Sequence, residues 1–462
     1  MTSLLKLSLR SRGDLLTVGL RLPIAHWEES LMKLLKTGGV AAFVAAASMT
    51  HAAAETPDSI KIGITTYSSG PASVFGVPAR QGAELMAEQL NARGGILGVP
   101  VELNFVDEGA GMETLTSEFR RLVDDVGVDV MFASISSGVC NNIAPLAEDL
   151  EILNFMWDCG TQRIFEEDDY EWVFRTQANA TTEILATFLY LIDRNPDFET
   201  IAVVNQDYAW GRESWAIFKT ALETLKPDVQ IVAELFPAFG APDYSTEISR
   251  LQGLAPDVIL STSWGGDLDT FVRQANQRGL FDTSLFVLPL AESSLQRLAG
   301  ELPDGVIVGA RGDHYFLHPE YRDDEEFTSF MDSFNERTGS WPIYPVFHMS
   351  QAFAALEAAY TKASEGAGGE FPSRIEVRDA MTGLEFRGLG RQVSIREDNQ
   401  GLEAQMLGVT RNVDDYDFPI IDEMVIYEAE GITTPVGQET LSWIRTLGPE
   451  FLEIKGERFS HQ

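Results

Sequence analysis

The fold class is decided by residues 128–157, which read "VDVMFASISSGVCNNIAPLAEDLEILNFMW". The apolar segment VDVMFAS (128–134) predicts a buried strand, and EILNFMW (151–157) predicts a second one. Between them, VCNNIAPLAEDL (139–150) predicts a helix. A strand, a helix and a strand in such a short stretch form a βαβ unit, which places two parallel strands in one sheet.

The same alternation extends in both directions along the chain. Strands are predicted at 60–66 and 99–107 and, after a restart, at 200–206, 229–236, 256–263 and 284–290; helices are predicted at 78–95, 112–125, 210–225 and 268–279. We therefore expect an α/β protein with two Rossmann-like lobes, each a parallel sheet with helices on both sides. Segments 170–181 and 302–313 are predicted to cross between the lobes.

The last third of the chain departs from this series. A long amphipathic helix is predicted at 346–365, followed by strands at 391–398, 404–411 and 423–430. The final thirty or so residues have the look of an appended tail.

The N-terminal segment has the pattern of a cleavable signal peptide. Lys33 and Lys36 form a basic head, residues 38–49 are small and apolar, and Ala52-Ala53-Ala54 suits the signal peptidase. A buried helix or a membrane anchor is the alternative, but the apolar run is too short to span a bilayer. We therefore expect residues 1–54 to be removed on export to the periplasm, with Met32 as the true start.

The charge balance excludes two classes of partner. Residues 1–54 hold six of the 34 Lys and Arg and three of the 70 Asp and Glu, so the remaining chain carries 28 basic and 67 acidic residues, a net charge of −39. Nucleic acids and anionic lipids need a basic surface, so neither is an expected partner. The acidic residues are spread along the chain, which indicates a solvated surface.

Two cysteines, Cys140 and Cys159, remain in the exported chain, and a single disulfide is their expected state. A metal site, a catalytic thiol or two free buried thiols are the alternatives. The histidines beyond residue 54 are His314, His318, His348 and His461, all distant in sequence from both cysteines. Metal and thiol chemistry therefore have little support, and no metal or cofactor is expected.

Several stretches, in this order, resemble the type I periplasmic binding proteins of the branched-chain amino acid (Leu/Ile/Val-binding) ABC transporter group. They are "IKIGITTYSSGPASVFGVPARQGAELMAEQLNARGGILGVPVELNFVDEGA", "RRLVDDVGVDVMFASISSGVCNNIAPLAEDLEILNF", "YEWVFRT", "VVNQDYAWGRE" and "FRGLGRQVSIREDNQGLEAQMLGV". Together they span roughly residues 60–427. The resemblance implies two lobes joined by about three hinge crossovers, with one small ligand clamped between them.

Combined with the strand pattern, the resemblance predicts how the chain divides between the lobes. The N-terminal lobe is expected to hold residues 55–176 plus about 310–385. The C-terminal lobe is expected to hold 177–309 plus about 386–430. Residues 431–462 remain as a C-terminal extension.

Ser136, Ser137 and Gly138 follow a predicted strand and start a predicted helix. Free backbone N–H groups and the positive end of the helix dipole favour a carboxylate at such a place. The resemblance implies that this loop holds the ligand carboxylate, with Ser137 as the best match. Helix capping by a serine is the alternative, and the two roles are compatible. The loop lacks the G-x-S-x-G pattern of a nucleophile elbow, so a serine hydrolase is disfavoured.

The next strand ends in "MWDCGT" (156–161), a loop that the resemblance assigns to the head group of the ligand. It contributes Asp158, Cys159 and Gly160 as candidate ligand residues. The family typically has small residues here, so Asp158 is a departure. A buried aspartate can pair with an ammonium group, repel a carboxylate or simply cap a turn.

The remaining candidates stand at other predicted strand ends. Tyr208 matches the family's aromatic residue over the ligand, and Glu292 approximately matches a family acid that binds the ligand ammonium. Trp264, and in the first loop Tyr67, Ser73 and Phe75, are expected to face the same cleft. Aromatic faces suit an apolar side chain, an aromatic ring or a cation.

The sequence therefore predicts an exported, monomeric solute-binding protein that catalyses no reaction. It would bind an amino acid or a related small zwitterion or carboxylate and deliver it to an ABC transporter permease. A ligand-sensing receptor of the same fold is the first alternative. An enzyme such as an amidase or a cysteine hydrolase is the second. The sequence does not name the ligand.

Overall fold

The computed structural model describes residues 56–461 of the chain. The predicted signal peptide and the start at Met32 lie outside the described residues. The strands are β1 (Ile60–Thr66), β2 (Val101–Asp107), β3 (Val130–Phe132), β4 (Asn154–Met156), β5 (Val173–Arg175), β6 (Thr200–Val204), β7 (Gln230–Leu235), β8 (Val258–Leu260), β9 (Leu285–Leu288), β10 (Ile307–Gly309), β11 (Glu385–Arg387), β12 (Gln392–Ile395), β13 (Gly401–Leu402), β14 (Gln405–Arg411), β15 (Ile420–Tyr427) and β16 (Glu457–Phe459).

The helices alternate with these strands through most of the chain. They are α1 (Ser73–Ala92), α2 (Met112–Arg121), α3 (Ser137–Asp149), α4 (Ile164–Glu167), α5 (Ala180–Arg194), α6 (Ala209–Leu225), α7 (Ser245–Leu254), α8 (Gly265–Gln277), α9 (Leu295–Leu298), α10 (Glu325–Thr338), α11 (Tyr344–Gly366), α12 (Arg374–Met381) and α13 (Thr440–Ile444). A π-helical turn, Leu122–Val126, extends α2, and 3-10 turns lie at Glu108–Ala110, Leu280–Asp282, Ala291–Ser294, Ala299–Glu301 and Pro449–Glu453.

The N-terminal sheet consists of five parallel strands in the order β2-β1-β3-β4-β5. Every residue of β3, β4 and β5 is buried, as a parallel sheet covered by helices on both faces requires. The βαβ unit predicted at residues 128–157 is confirmed, since β3, α3 and β4 follow one another and the two strands pair in parallel.

The second sheet has eight strands in the order β16-β15-β14-β10-β9-β8-β6-β7. Strands β6 to β10 pair in parallel, which confirms the second predicted series. Strands β14, β15 and β16 join through antiparallel pairs. The structure is thus an α/β fold of two lobes, as expected.

The C-terminal segment folds onto this second sheet. Strand β16 pairs with Met424–Ile426 of β15 and so covers the edge of that strand. The hydroxyl groups of Thr440 and Thr181 lie 2.7 Å apart, which fixes α13 against the start of α5. An exposed strand edge is a template for unwanted pairing, and the tail covers it on this side.

The first helix begins earlier than the sequence indicates. Pro78 was expected at the helix start, but α1 begins at Ser73 and continues through the proline. Pro78 leaves one backbone hydrogen bond of the helix unmade, and burial of Phe75, Ala79 and Ala83 stabilises the helix nonetheless. Tertiary packing therefore decides this helix boundary.

The same helix-to-loop contact occurs in both lobes. In the first lobe the Thr66 hydroxyl donates to the Gly76 carbonyl (3.0 Å), and a Cβ on Gly76 would lie 2.1 Å from the Tyr67 carbonyl oxygen. In the second lobe the Asn205 amide donates to the Gly211 carbonyl (2.9 Å), and a Cβ on Gly211 would lie 2.0 Å from the carbonyl oxygen of Gln206. Each helix can approach its strand-end loop this closely only because glycine has no side chain.

The segments that connect the two sheets lie against one another. Arg175, at the end of β5, donates to the Gln400 side chain over 2.5 Å, and the N–H of Ala178 donates to Glu403 over 2.9 Å. The N–H of Met406 donates to the carbonyl of Gly312 over 2.8 Å. Gly312 lies in the predicted second crossover, three residues after the end of β10. These buried contacts hold the connections together between the lobes. Within residues 56–461, none of the helices has the length and apolar character that a membrane span requires.

Candidate functional site

A small cavity of about 10 Å³ lies where the strand-end loops of the two sheets face each other. Loops after β3, β4, β6, β8, β9 and β10 all reach it. Ligands of open parallel sheets bind at this place, outside the carboxyl ends of the strands. We call it the cleft pocket, and its lining residues are Phe75, Ile135, Ser137, Asp158, Gly160, Tyr208, Trp210, Trp264, Leu290, Arg311 and Tyr344.

The structure brings half of the predicted site residues to the cleft pocket. Phe75, Ser137, Asp158, Gly160, Tyr208 and Trp264 line it. Tyr67 packs against Trp264 with ring centroids 6.2 Å apart and lies one layer back. The other predicted residues, Ser73, Ser136, Gly138, Cys159 and Glu292, lie near the pocket walls or on the surface without lining it.

The start of α3 forms one end of the pocket. Ser136 is the N-cap residue and Ser137 is the first helical residue. The N–H groups of Ile135 and Ser136 donate to Glu108, at 2.9 and 3.4 Å. Among the described residues, the N–H groups of Ser137 and Gly138 and the Ser137 hydroxyl have no hydrogen-bond partner. They therefore remain available to an anion at the positive end of the helix.

Glu108 is the buried support of this loop. Its carboxyl group also accepts a hydrogen bond from the Thr65 hydroxyl at 2.7 Å, so it ties β1 to the α3 loop. Burial raises the pKa of Glu108 to about 7, against the lowering effect of its hydrogen bonds with Thr65, Ile135 and Ser136. Glu108 thus holds the loop in place without being exposed to a ligand.

Arg311 is the largest charged feature of the cleft pocket. Its guanidinium binds Glu183 through two hydrogen bonds, Nε to Oε2 at 2.9 Å and Nη2 to Oε1 at 2.8 Å. Its third nitrogen lies 3.4 Å from Asp158 Oδ2. The side chains of Arg311, Asp158 and Glu183 are 5%, 1% and 3% exposed. Arg311 is therefore a fully buried cation, with its charge partners supplied by the protein itself.

Asp158 has a second partner, His348 on α11. Nε2 of His348 lies 2.8 Å from the Arg311 carbonyl oxygen, which can only accept, so this nitrogen carries a proton. Its Nδ1 forms a short hydrogen bond with Asp158 Oδ1. Burial raises the pKa of Asp158 to about 8 and lowers the pKa of His348. At neutral pH the pair is therefore uncharged, with protonated Asp158 donating a hydrogen bond to Nδ1 of His348.

Aromatic rings form the walls of the pocket. Phe75 packs against Trp264 and Tyr344, with ring centroids 5.2 and 4.9 Å apart. Trp264 Nε1 donates to the Tyr208 hydroxyl over 2.5 Å, so the Tyr208 proton is left to point elsewhere. The Tyr344 hydroxyl is buried without a hydrogen-bond partner among the described residues. Both tyrosines can therefore donate to a ligand.

The candidate metal ligands near this site are His314, His348 and Glu403. One ligand atom from each lies within 4.8 Å of the others, and all three side chains are buried. Both ring nitrogens of His348 are already hydrogen-bonded, to Asp158 and to the Arg311 carbonyl. Glu403 accepts from Gln351 and from the Ala178 N–H. Nδ1 of His314 lies 3.3 Å from Glu403 Oε1, so the cluster is a set of mutually engaged side chains within the lobe connections.

A family model described as "Periplasmic binding protein" matches residues 59–413. The chain is a periplasmic binding protein. Its similarity to Leu/Ile/Val-binding proteins places it among the type I proteins of the branched-chain amino acid ABC transporter family, as the sequence predicted. Members of this family are substrate-binding proteins that work in the periplasm.

Relatives of this periplasmic binding protein cover nearly its whole described length. Leu/Ile/Val-binding protein homolog 7 of Brucella abortus is 24% identical over 378 residues, covering 79% of this chain and 92% of the relative. A solute-binding protein of an ABC transporter from Rhodopseudomonas palustris HaA2, solved with p-hydroxybenzoic acid, has a TM-score of 0.69 at 17% identity and covers 82% and 100% of the two chains. The closed conformation of the leucine-, isoleucine-, valine-, threonine- and alanine-binding protein of Brucella ovis has a TM-score of 0.67 at 16% identity, covering 82% and 98%.

The sequence did not predict five residues that line the pocket, nor the nearby His348; the five are Ile135, Trp210, Leu290, Arg311 and Tyr344. Arg311 stands two residues after β10, so an arginine at a predicted strand end was a usable signal. Tyr344 and His348 lie on α11, where an amphipathic helix gave no reason to look for site residues. The contacts of His348 with Asp158 and Arg311 join distant parts of the chain, so the spacing of the histidines in the sequence gives no sign of them.

The predicted disulfide of the binding protein is confirmed. Cys140 on α3 and Cys159 after β4 are bonded, with Cα atoms 6.5 Å apart. The bond joins the helix that starts at Ser137 to the loop that holds Asp158. Two sides of the cleft pocket are thus covalently tied.

Replacing both cysteines, Cys140→Ser with Cys159→Ser, is expected to lower the free energy of unfolding by about 3 kcal/mol. The bond spans 19 residues, and opening a loop of this size restores about that much chain entropy to the unfolded state. Urea unfolding of the two proteins measures the difference. Reductant should destabilise the wild type and leave the double variant unchanged; an equal effect on both would contradict the assignment.

Proposed function

We propose that this protein captures a small organic carboxylate in the cleft pocket and delivers it to the permease of an ABC transporter. The observation that carries the proposal is the start of α3, where Ser137 and free N–H groups open into an aromatic-lined pocket between two lobes. The protein would act as a monomer and would catalyse no reaction. A helix N-terminus with a free hydroxyl is suited to holding an anion, and aromatic walls are suited to the rest of the molecule.

In this proposal the carboxylate lies against the N-terminus of α3. The Ser137 hydroxyl and the N–H of Ser137 donate to its oxygens, and the Tyr208 hydroxyl donates from the opposite lobe. The apolar part of the ligand packs against Phe75 and Trp264, which are 5.2 Å apart by ring centroid. Contacts from both lobes would favour the closed arrangement, which is the form a permease would recognise.

The lobes that close on the ligand would have the bounds expected from the sequence. Residues 55–176 with about 310–385 would form one lobe, and 177–309 with about 386–430 the other. Helix α1 of the first group packs on α11, where a Cβ at Gly82 would lie 2.7 Å from Val346. This close packing of distant segments supports the grouping.

The known ligands of the relatives support the chemical class. One Brucella protein is named as a Leu/Ile/Val-binding protein homologue and the other for binding leucine, isoleucine, valine, threonine and alanine, and the Rhodopseudomonas protein was solved with p-hydroxybenzoic acid. All of these molecules carry a carboxylate. A carboxylate-binding site at Ser137 would therefore suit all of these ligands.

Binding of a ligand is expected to raise the melting temperature of the mature protein. At a concentration 100 times the Kd, a ligand adds about 2.7 kcal/mol to the free energy of unfolding. A thermal-shift screen with amino acids, benzoates and aliphatic carboxylic acids tests the proposal. No shift with any of them would refute the ligand class.

Ser137→Ala should then lower the affinity for the best ligand by about 10-fold or more, because one hydrogen bond to a charged group is lost. Ser333→Ala is the matched control, since the hydroxyl of Ser333 donates to the Ser329 carbonyl on α10 and does not line the pocket. Isothermal titration calorimetry compares the variants. Equal affinity in wild type and Ser137→Ala would remove Ser137 from the site.

A further inference from the structure

We propose that Arg311 is an internal counter-ion that occupies the place of a ligand ammonium group, so that the pocket selects carboxylic acids without an α-amino group. This inference rests on the proposed function and names its substrate class. The aspartate beside the carboxylate-binding loop, Asp158, belongs to a buried cluster of polar side chains that the protein completes by itself.

The acidic groups around the pocket are already engaged by the protein. A ligand ammonium needs a carboxylate, and Asp158 is the one acidic residue among the described lining residues. One of its oxygens is bonded to His348 and the other faces Arg311 at 3.4 Å. Glu183, behind it, is held by two hydrogen bonds from Arg311. Neither carboxyl group is left for a ligand.

The acid that the resemblance suggested for the ammonium is also engaged. Glu292 is buried and accepts the backbone N–H of Tyr344 at 2.8 Å. It does not line the pocket. Glu108 is likewise bonded to Thr65, Ile135 and Ser136. The acidic groups nearest the pocket therefore all serve the protein.

The hydrogen-bond donors and acceptors of the pocket also favour an acid over a zwitterion. An ammonium group carries three donors and needs acceptors around it, whereas a carboxylate only accepts. Apart from Asp158, which is engaged by His348 and Arg311, the polar side chains that face the pocket include the hydroxyls of Ser137, Tyr208 and Tyr344 and the guanidinium of Arg311. The guanidinium only donates, each hydroxyl can donate as well as accept, and the Tyr344 hydroxyl still lacks a partner. The pocket is rich in donors, which favours an acid over a zwitterion.

Aromatic rings of the pocket are partly occupied by the side chain of Arg311. A cation in a cleft is often held over aromatic faces. Here the guanidinium carbon of Arg311 lies 4.9 Å from the ring centroid of Trp210 and 5.4 Å from that of Tyr344. Two of the aromatic faces that would suit a ligand cation are thus covered by the cation of the protein. The rings left for the ligand, Phe75 and Trp264, suit an uncharged apolar or aromatic group.

The wild-type protein tests the inference without any substitution. Calorimetric titration with benzoate, 4-hydroxybenzoate, L-leucine and L-phenylalanine should show the benzoates binding at least 100-fold more tightly than either amino acid. Equal or tighter binding of an amino acid would overturn the inference and leave the proposed function standing. Binding of neither class, nor of other carboxylates, would overturn the proposed function, and the inference with it.

Arg311→Met tests the role of the guanidinium itself. Removing the cation frees Asp158 and Glu183, so affinity for L-phenylalanine should rise at least 10-fold relative to affinity for benzoate. Arg311→Lys keeps the charge and should keep the preference for acids. Circular dichroism confirms that each variant is folded. A folded Arg311→Met protein with unchanged preference would show that Arg311 does not set the ligand class; if that variant does not fold, the wild-type titration decides.

Discussion

Gly76→Ala is expected to lower the free energy of unfolding by more than about 3 kcal/mol. A Cβ at this position would lie 2.1 Å from the carbonyl oxygen and 2.5 Å from the nitrogen of Tyr67. Both are backbone atoms at the end of β1, so no side chain can rotate away to relieve the contact. Overpacking of a core typically costs about 1–3 kcal/mol, and a collision with fixed backbone exceeds that range.

A glycine of the second lobe allows the same test to be repeated, and a third glycine serves as the control. Gly211→Ala should be as harmful, because its Cβ would lie 2.0 Å from the carbonyl oxygen of Gln206. Gly253, on α7, is also a helical glycine, but a Cβ there would meet nothing within 4 Å. Gly253→Ala should stabilise the protein by up to about 1 kcal/mol through helix propensity. Urea unfolding compares the three variants; a mild effect of Gly76→Ala would show that the loop can move.

The melting temperature is expected to fall as the pH rises from 6.5 to 8. Burial raises the pKa of Asp158 and Glu292 to about 8 and that of Glu108, Glu183 and Asp313 to about 7. In the unfolded chain these groups ionise near pH 4. The folded state therefore holds protons that the unfolded state has released. Each such group lowers the free energy of unfolding by about 1.4 kcal/mol per pH unit until its folded pKa is passed.

Two buried histidines oppose this trend at lower pH only. Burial lowers the pKa of His318 to about 3 and lowers that of His348 as well. Unfolding below pH 6.5 lets them take up protons, so their contribution to stability grows as the pH approaches 6.5 and is complete above it. The window from pH 6.5 to 8 therefore isolates the effect of the carboxyl groups.

Glu292→Gln assigns part of this slope to a single residue. The change removes the titrating group and keeps an oxygen that can accept the Tyr344 N–H. The fall in the free energy of unfolding should become shallower by about 1.4 kcal/mol per pH unit between pH 6.5 and 8. Glu336→Gln, at an exposed position of α10, is the control and should leave the slope unchanged. A wild-type slope in Glu292→Gln would mean that Glu292 is ionised in the folded protein.

The parallel framework could be predicted from sequence because its signal is local. Each buried strand is a short apolar run, as in IKIGITT, and each helix follows within a few residues. The start of α1 was missed by five residues because Pro78 is a strong local signal, whereas the burial of Phe75 depends on distant segments. The pairing of β16 with β15 was missed for the same reason, since a three-residue edge strand has almost no pattern of its own.

The pocket could be predicted only where residues follow strands directly. Ser137, Asp158, Tyr208 and Trp264 stand at strand ends, and the topology of a parallel sheet brings strand ends together. The partners of Asp158 could not be found in this way. Arg311 and His348 lie more than 150 residues away in sequence, and only the folded chain shows that they contact it.

The Cys140–Cys159 bond also indicates in which cellular compartment the pocket is completed. Thiols are kept reduced in the cytoplasm, and the bond forms in an oxidising compartment. For a member of a periplasmic family, the two walls of the pocket are therefore joined only after the chain has left the cytoplasm. In that case the protein would acquire the stability that the disulfide adds in the same compartment where it would meet its ligand.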